Sequence, residues 1–189
     1  MSIKIEFHGE GLPKFQDAVE ALGEGKATSA YRKALNSTGK KVFTQVKRSV
    51  AKQMGTSQRN VVKHGGMKRV PASGAHLVTT IEAKGNYLPL SDFKSRQVGA
   101  GASAAPWATR RIFRGTFIIA KLGGNVFRRT GKFSPASGRH NAIEKLWGPA
   151  VPKEMVRDES AATFDRVVRT ELAPEVNRLL KLMSNGALS

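Results

Sequence analysis

Ile3, Ile5 and Phe7 alternate with polar residues, the period of a short strand. Gly9 to Gly11 then turns the chain. Phe15, Val19 and Leu22 share one face of a short helix from about Leu12 to Leu22, ended by Gly23 and Gly25. The clearest period comes next. Tyr31, Leu35, Thr38, Val42, Val46 and Val50 recur at three and four residues and draw one narrow apolar stripe along a helix. Thr28 or Ser29 can cap its start, and Gly55 stops it. Lys33, Lys40, Lys41, Lys47, Arg48 and Lys52 lie mostly off the stripe. Such charges ordinarily solvate a helix face; contact with DNA or RNA is the other use open to them.

Ser57 to His64 has the form of one more capped helical turn, cut short by Gly65 and Gly66. From Val70 the pattern shifts toward strands. Leu77 to Ala83 reads as one. Ile112 to Arg129 reads as a hairpin: the β-forming arm Ile112 to Ala120, a turn at Gly123, Gly124 and Asn125, and a return arm opening with Val126 and Phe127. Two stretches look irregular, Lys84 to Thr109 and Thr130 to Lys153. Long structureless loops are uncommon inside a compact domain. Both are therefore expected to find partners on neighbouring subunits, with disorder as the competing explanation. Phe93, Trp107, Trp147, Pro149 and Pro152 are the candidate interface residues within them. Asp158 can cap a closing helix, in which Phe164, Val168, Leu172, Val176, Leu180 and Met183 hold phase through Pro174. That phase requires one kinked helix or two stacked pieces. The tail from Ser184 is expected to fray, and no repeat of fixed period is present. The whole, residues 1–189, reads as a single α+β domain: a small antiparallel sheet with a hairpin, packed by long N- and C-terminal helices.

Charge changes this picture more than any other feature. The formal net charge is +18. Residues 1–24 hold two basic and five acidic side chains, and residues 144–189 hold seven of each. Residues 25–143 hold 23 basic side chains and only Glu82 and Asp92 as acids, so the centre carries +21 and the two ends together −3. Like charges crowded together repel and destabilise the compact state. A field of one sign this large points to a polyanion, ordinarily nucleic acid, or to an acidic protein surface. No apolar run approaches the length of about 18 residues needed to span a bilayer, so no membrane partner is expected. The first ten residues lack the apolar core of a secretory signal. Cysteine is absent, which excludes disulfides and thiolate metal sites and fits a reducing cytoplasm.

A nuclease would suit a basic chain, but metal-assisted phosphodiester cleavage needs clustered carboxylates. Glu82-Ala83-Lys84 and Asp92-Phe93-Lys94 are short acid-x-lysine matches without a further acid nearby. His8, His64, His76 and His140 have no partner at metal-binding spacing. Gly99-x-Gly101-x-x-Ala104 mimics half of a dinucleotide fingerprint without its strand–turn–helix context and reads as a flexible loop. No enzyme activity, metal or cofactor is expected. The basic clusters remain: Arg110, Arg111 and Arg114 before the hairpin, and Arg128, Arg129 and Lys132 after it. Antiparallel pairing of the arms would bring the two clusters to one end of the ribbon, with no acid nearby in sequence. Arginine binds phosphate bidentately, so these six are candidates for sequence-blind backbone contact. Phe113 and Phe127 sit inside strands and are expected in the core rather than as base-stacking platforms.

Three ordered blocks carry a resemblance. They are Leu88 to Gln97 (LPLSDFKSRQ), Phe113 to Ala120 (FRGTFIIA) continuing to Val126 to Lys132 (VFRRTGK), and Ile143 to Pro152 (IEKLWGPAVP). A basic N-terminal helix containing Ala34-Leu35-Asn36 and a long C-terminal helix flank them. In this order the chain resembles the prophage minor tail protein Z family, within the phage tail-completion (neck) proteins. It departs from that pattern at Arg139 to Ile143, where a proline would precede the isoleucine. The resemblance implies a homo-oligomeric ring, sixfold by analogy with tail architecture. The ring would lie at the head-proximal end of the tail, between the tail terminator and the head connector, around the end of the genomic DNA. It also implies assembly in the host cytoplasm and residence in the virion. The alternative is a sequence-nonspecific nucleic-acid-binding protein.

Overall fold

The computed structural model describes residues 2–5, 15–74, 76–133, 135, 138 and 142–184. The Gly9–Gly11 turn, the helix residues before Phe15, Phe7, His8, His140 and the tail beyond Ser184 lie outside them. Among the described residues, five helices and eleven short strands follow in chain order. They are β1 (Ser2–Ile5), α1 (Phe15–Leu22), α2 (Glu24–Met54), α3 (Gln58–Lys63), β2 (Met67–Val70), β3 (Thr79–Ala83) and β4 (Tyr87–Pro89). Then come β5 (Arg96–Val98), β6 (Gly101–Ala104), β7 (Arg111–Arg114), β8 (Thr116–Ile119), β9 (Asn125–Arg129), β10 (Ile143–Lys145), β11 (Trp147–Ala150), α4 (Val151–Met155) and α5 (Asp158–Met183).

All six positions of the α2 stripe are buried, from Tyr31 to Val50. Burial of a valine or leucine side chain is worth about 1.5–3 kcal/mol, so this stripe holds the helix in place more firmly than its weak helix formers would. The helix begins a turn earlier than its capping residues suggest. Thr28 and Ser29 sit inside it, and Gly23 occupies the cap position with no side-chain cap. The extra turn buries Ala27 in the core. At the other end Gly55 adopts left-handed φ 76 and its N–H closes onto the last turn, the usual glycine stop. Ser57 then caps α3, its hydroxyl accepting from the Asn60 N–H.

Antiparallel to α2 runs α5. Lys41 meets Glu171 at 2.6 Å, the Ser49 and Thr163 hydroxyls lie 3.5 Å apart, and Gln53 Oε1 accepts from the Ser160 hydroxyl at 2.9 Å. One helix continues through Pro174, with Leu172, Val176, Leu179 and Leu180 buried on both sides of it. Asp158 is the first helical residue rather than the cap; Arg157 holds the cap position. Asp158 and Glu159 there face the positive end of the helix dipole.

The strands form four small antiparallel sheets, in the orders β1-β3-β2, β10-β9-β8, β11-β4 and β5-β6-β7. β3 is central in the first and turns Thr79, Ile81 and Ala83 inward. It crosses α2 at Gly39, where a Cβ would stand 3.0 Å from the Thr79 side chain. The α+β class with long N- and C-terminal helices and small antiparallel sheets is therefore what the chain adopts. Two further expectations need correction. The described residues of 84–109 and 130–153 are not structureless: they supply β4, β5, β6, β10, β11 and most of α4, whose strands pair within the chain, β4 with β11 and β10 with β9. Gly99 to Ala104 is no flexible loop either, since Gly101 to Ala104 form β6, buried throughout.

Candidate nucleic-acid interface

The expected first arm of the hairpin is broken at Gly115, which adopts φ 66. Upstream of it β7 pairs with β6, Arg111 opposite Ala104 and Arg114 opposite Gly101. Downstream β8 makes the hairpin with β9, Thr116 opposite Arg128 and Ile119 opposite Asn125. The two sheets are joined where the Ala102 N–H donates to Thr116 Oγ1 at 3.0 Å and the Ile118 N–H to Gln97 Oε1 at 2.9 Å. The two arginine clusters thus belong to different sheets rather than to one ribbon end. Side chains alternate across a strand, so neighbours Arg128 and Arg129 leave β9 on opposite faces.

Their partners differ as well. Arg110 folds back, its guanidinium donating to Ser103 Oγ at 3.0 Å and to the Lys94 carbonyl at 3.4 Å. Arg111, Arg114 and Lys132 are exposed. Arg129 lies over the Phe117 ring, 5.8 Å from its centroid. Arg128 is not short of an acid: its Nε and Nη2 donate to Glu144 Oε1 at 3.0 and 2.5 Å, because β10 sets Glu144 directly across from it. Phe127 is buried and Phe113 packs against the core, as expected of strand aromatics.

The candidate interface residues also divide. Phe93 is fully buried. Pro149 is buried and Pro152 half-buried, so Phe93 and Pro149 serve the fold. Trp107 and Trp147 are 48% and 54% exposed. Trp107 is fixed in place. It and Ala108 adopt left-handed φ of 52 and 57, conformations that cost a non-glycine residue about 1–3 kcal/mol each unless the surroundings impose them. Here they do. Gly55 lies so near that a Cβ on it would come within 2.5 Å of the Ala105 carbonyl and the Ala108 nitrogen. The Trp107 indole N–H donates to Glu154 Oε1 at 3.1 Å. Glu154 is buried and also accepts from Gln53 Nε2 at 2.9 Å. Trp147 carries Lys145 over its ring at 4.4 Å.

The two central acids are engaged. Asp92 Oδ2 lies 2.5 Å from His64 Nδ1. Glu82 has Lys68 at 3.7 Å and Lys84 at 3.4 Å. Among the described residues no three histidine, aspartate or glutamate side chains gather into a metal-holding group, and no helix is long and apolar enough to cross a membrane.

An open groove of about 670 Å³ runs between α2 and α5. Lys40, Lys41 and Arg48 line it from α2, and Arg166, Thr170 and Glu171 from α5. The α2 lysines stand out in the sequence as off-stripe positions. Arg166 does not, because only the antiparallel register of two helices more than a hundred residues apart brings it to them. Compared with family models, with curated proteins and with solved structures, the chain finds no match.

Proposed function

We propose that this chain is a non-enzymatic structural protein of a phage tail neck. It forms a ring at the head-proximal end of the tail, joins tail to head connector and surrounds the genome end. The observation that carries this reading is the single-sign field of residues 25–143. A ring around DNA needs cations that read no sequence, and most of those here stand exposed on helix and strand faces. The ordered blocks that resemble minor tail protein Z supply the place in the virion. Two half-exposed tryptophans, one held rigid by its left-handed backbone, suit contact with neighbouring copies, since aromatics are enriched at such interfaces. Closure of a repeated head-to-tail contact gives the ring.

The test is the mass of the purified protein by light scattering and its appearance by negative-stain microscopy, alone and with isolated tail tubes. Rings, or density capping one tube end, are expected. A stable monomer that ignores tubes yet shifts DNA in a salt-sensitive way overturns the reading in favour of a sequence-blind nucleic-acid-binding module.

A further inference from the structure

We infer that the groove between α2 and α5 binds a phosphodiester backbone, and that this groove rather than the hairpin arginines is the chain's main contact with nucleic acid. The inference goes beyond the neck reading and stands without it.

Four cations and one carboxylate line the groove: Lys40, Lys41, Arg48 and Arg166 against Glu171. Glu171 is already taken by Lys41, at 2.6 Å. The next acid along α5, Glu175, is held by Arg178 at 2.9 and 3.0 Å. Lys40, Arg48 and Arg166 make no ion pair with any described carboxylate. Three charges are thereby left uncompensated around one concavity, which raises the local concentration of an anion. A solvated helix face would account for the α2 lysines alone. It does not account for cations converging on one concavity from two elements, with Glu171 as the one acid in its lining and that acid already paired with Lys41.

The dimensions and the chemistry of the walls narrow the ligand. Lys40 and Arg48 are eight residues apart in α2, about 12 Å along the helix axis. That is the axial rise of roughly three to four nucleotides in one strand of a duplex. Among the described residues no aromatic side chain lines the groove, so bases have nothing to stack on, and the wall favours phosphates over bases. The hairpin arginines are the weaker site. Arg110 and Arg128 are engaged within the chain, and the others are divided between two sheets.

The test is the affinity of the full chain for a short random-sequence DNA duplex, by fluorescence anisotropy across a salt series. The triple variant Lys40→Gln, Arg48→Gln, Arg166→Gln is expected to lower the slope of log affinity against log salt by about 2–3, at roughly 0.9 for each phosphate that is no longer neutralised. The triple variant Arg111→Gln, Arg114→Gln, Arg129→Gln should lower it by less than about 1. Glu171→Gln, which frees Lys41, should raise the slope by about 1, a gain that a misfolded variant cannot imitate. An unchanged slope in the groove variant overturns the inference, as does wild-type protein that shows no salt-dependent binding. So does polyglutamate competing as well as DNA at equal charge, which would assign the groove to an acidic protein. None of these outcomes alters the ring and tube-capping result, and a monomer that ignores tubes leaves the salt slope untouched.

Discussion

Phe93 lies against Gly148, so close that a Cβ on the glycine would stand 2.3 Å from the phenyl Cε2. The two residues come from separate blocks of the chain, the 3₁₀ turn at Leu90–Phe93 and strand β11. The absence of a side chain at 148 is what lets a fully buried ring reach its place. Gly148→Ala should therefore destabilise by overpacking, by about 1–3 kcal/mol. Phe93→Ala should cost about 3–5 kcal/mol through the cavity it leaves. Urea unfolding checks both: the midpoint should fall with the slope unchanged.

Glu175 supplies a pH dependence. Its hydrogen bonds from the Arg178 guanidinium, with help from Ser37 and the charges of Arg178 and Lys41, lower its carboxyl from the ordinary 4.5 to about 2, against an opposing contribution from burial. A depressed carboxyl contributes stability that is fully present above its unfolded value and is lost as pH falls through the folded one. Wild type should thus lose stability between about pH 4.5 and pH 2 more steeply than Glu175→Gln. Thermal melts over that window measure it. Equal slopes for the two proteins would mean that Arg178 does not hold the carboxylate in solution.

Trp107 and Trp147 should behave oppositely although both are half-exposed. Trp107→Phe removes an indole donor from the buried Glu154 and should cost about 1–3 kcal/mol, the penalty for leaving a buried acceptor short of a partner. Trp147→Ala should change monomer stability by no more than about 0.5 kcal/mol. It should instead weaken self-association, read as a lower mass in light scattering at equal concentration.

Arg128 and Glu144 form a surface pair, 60% and 47% exposed. A double-mutant cycle to alanine should give a coupling of about 0.2–1 kcal/mol that shrinks with added salt. A coupling well above that range would show that the pair organises the β9–β10 register rather than decorating it.

The helical half of the molecule is legible in the sequence because its signals are periodic. Tyr31 to Val50 keep one face over several turns, and Leu172 to Leu180 keep theirs through Pro174. The strands between 84 and 150 are hidden for a physical reason. Most run only three or four residues, too short to show a period, and β6 is built from glycine, alanine and serine, which have little intrinsic preference for extended structure. Gly115 is the available sign that the arm Ile112–Ala120 is two strands, since an isolated glycine in a strand pattern marks a bend. The β-formers on both sides of it outweigh that sign. The cross-strand partner of Arg128 and the position of Arg166 depend on pairing between distant segments, which one sequence does not specify.

The α2–α5 pairing has a further consequence, for synthesis. Lys41 and Glu171 are separated by 130 residues. At a translation rate of about 5–20 residues per second, the apolar stripe of α2 waits on the order of ten seconds before the segment that covers it exists. The nascent chain in that interval carries an unshielded stripe within a strongly cationic stretch, in a cell filled with ribosomal RNA. Chaperone engagement during translation, and loss of yield when α5 is truncated, are the marks this topology should leave on the protein's production.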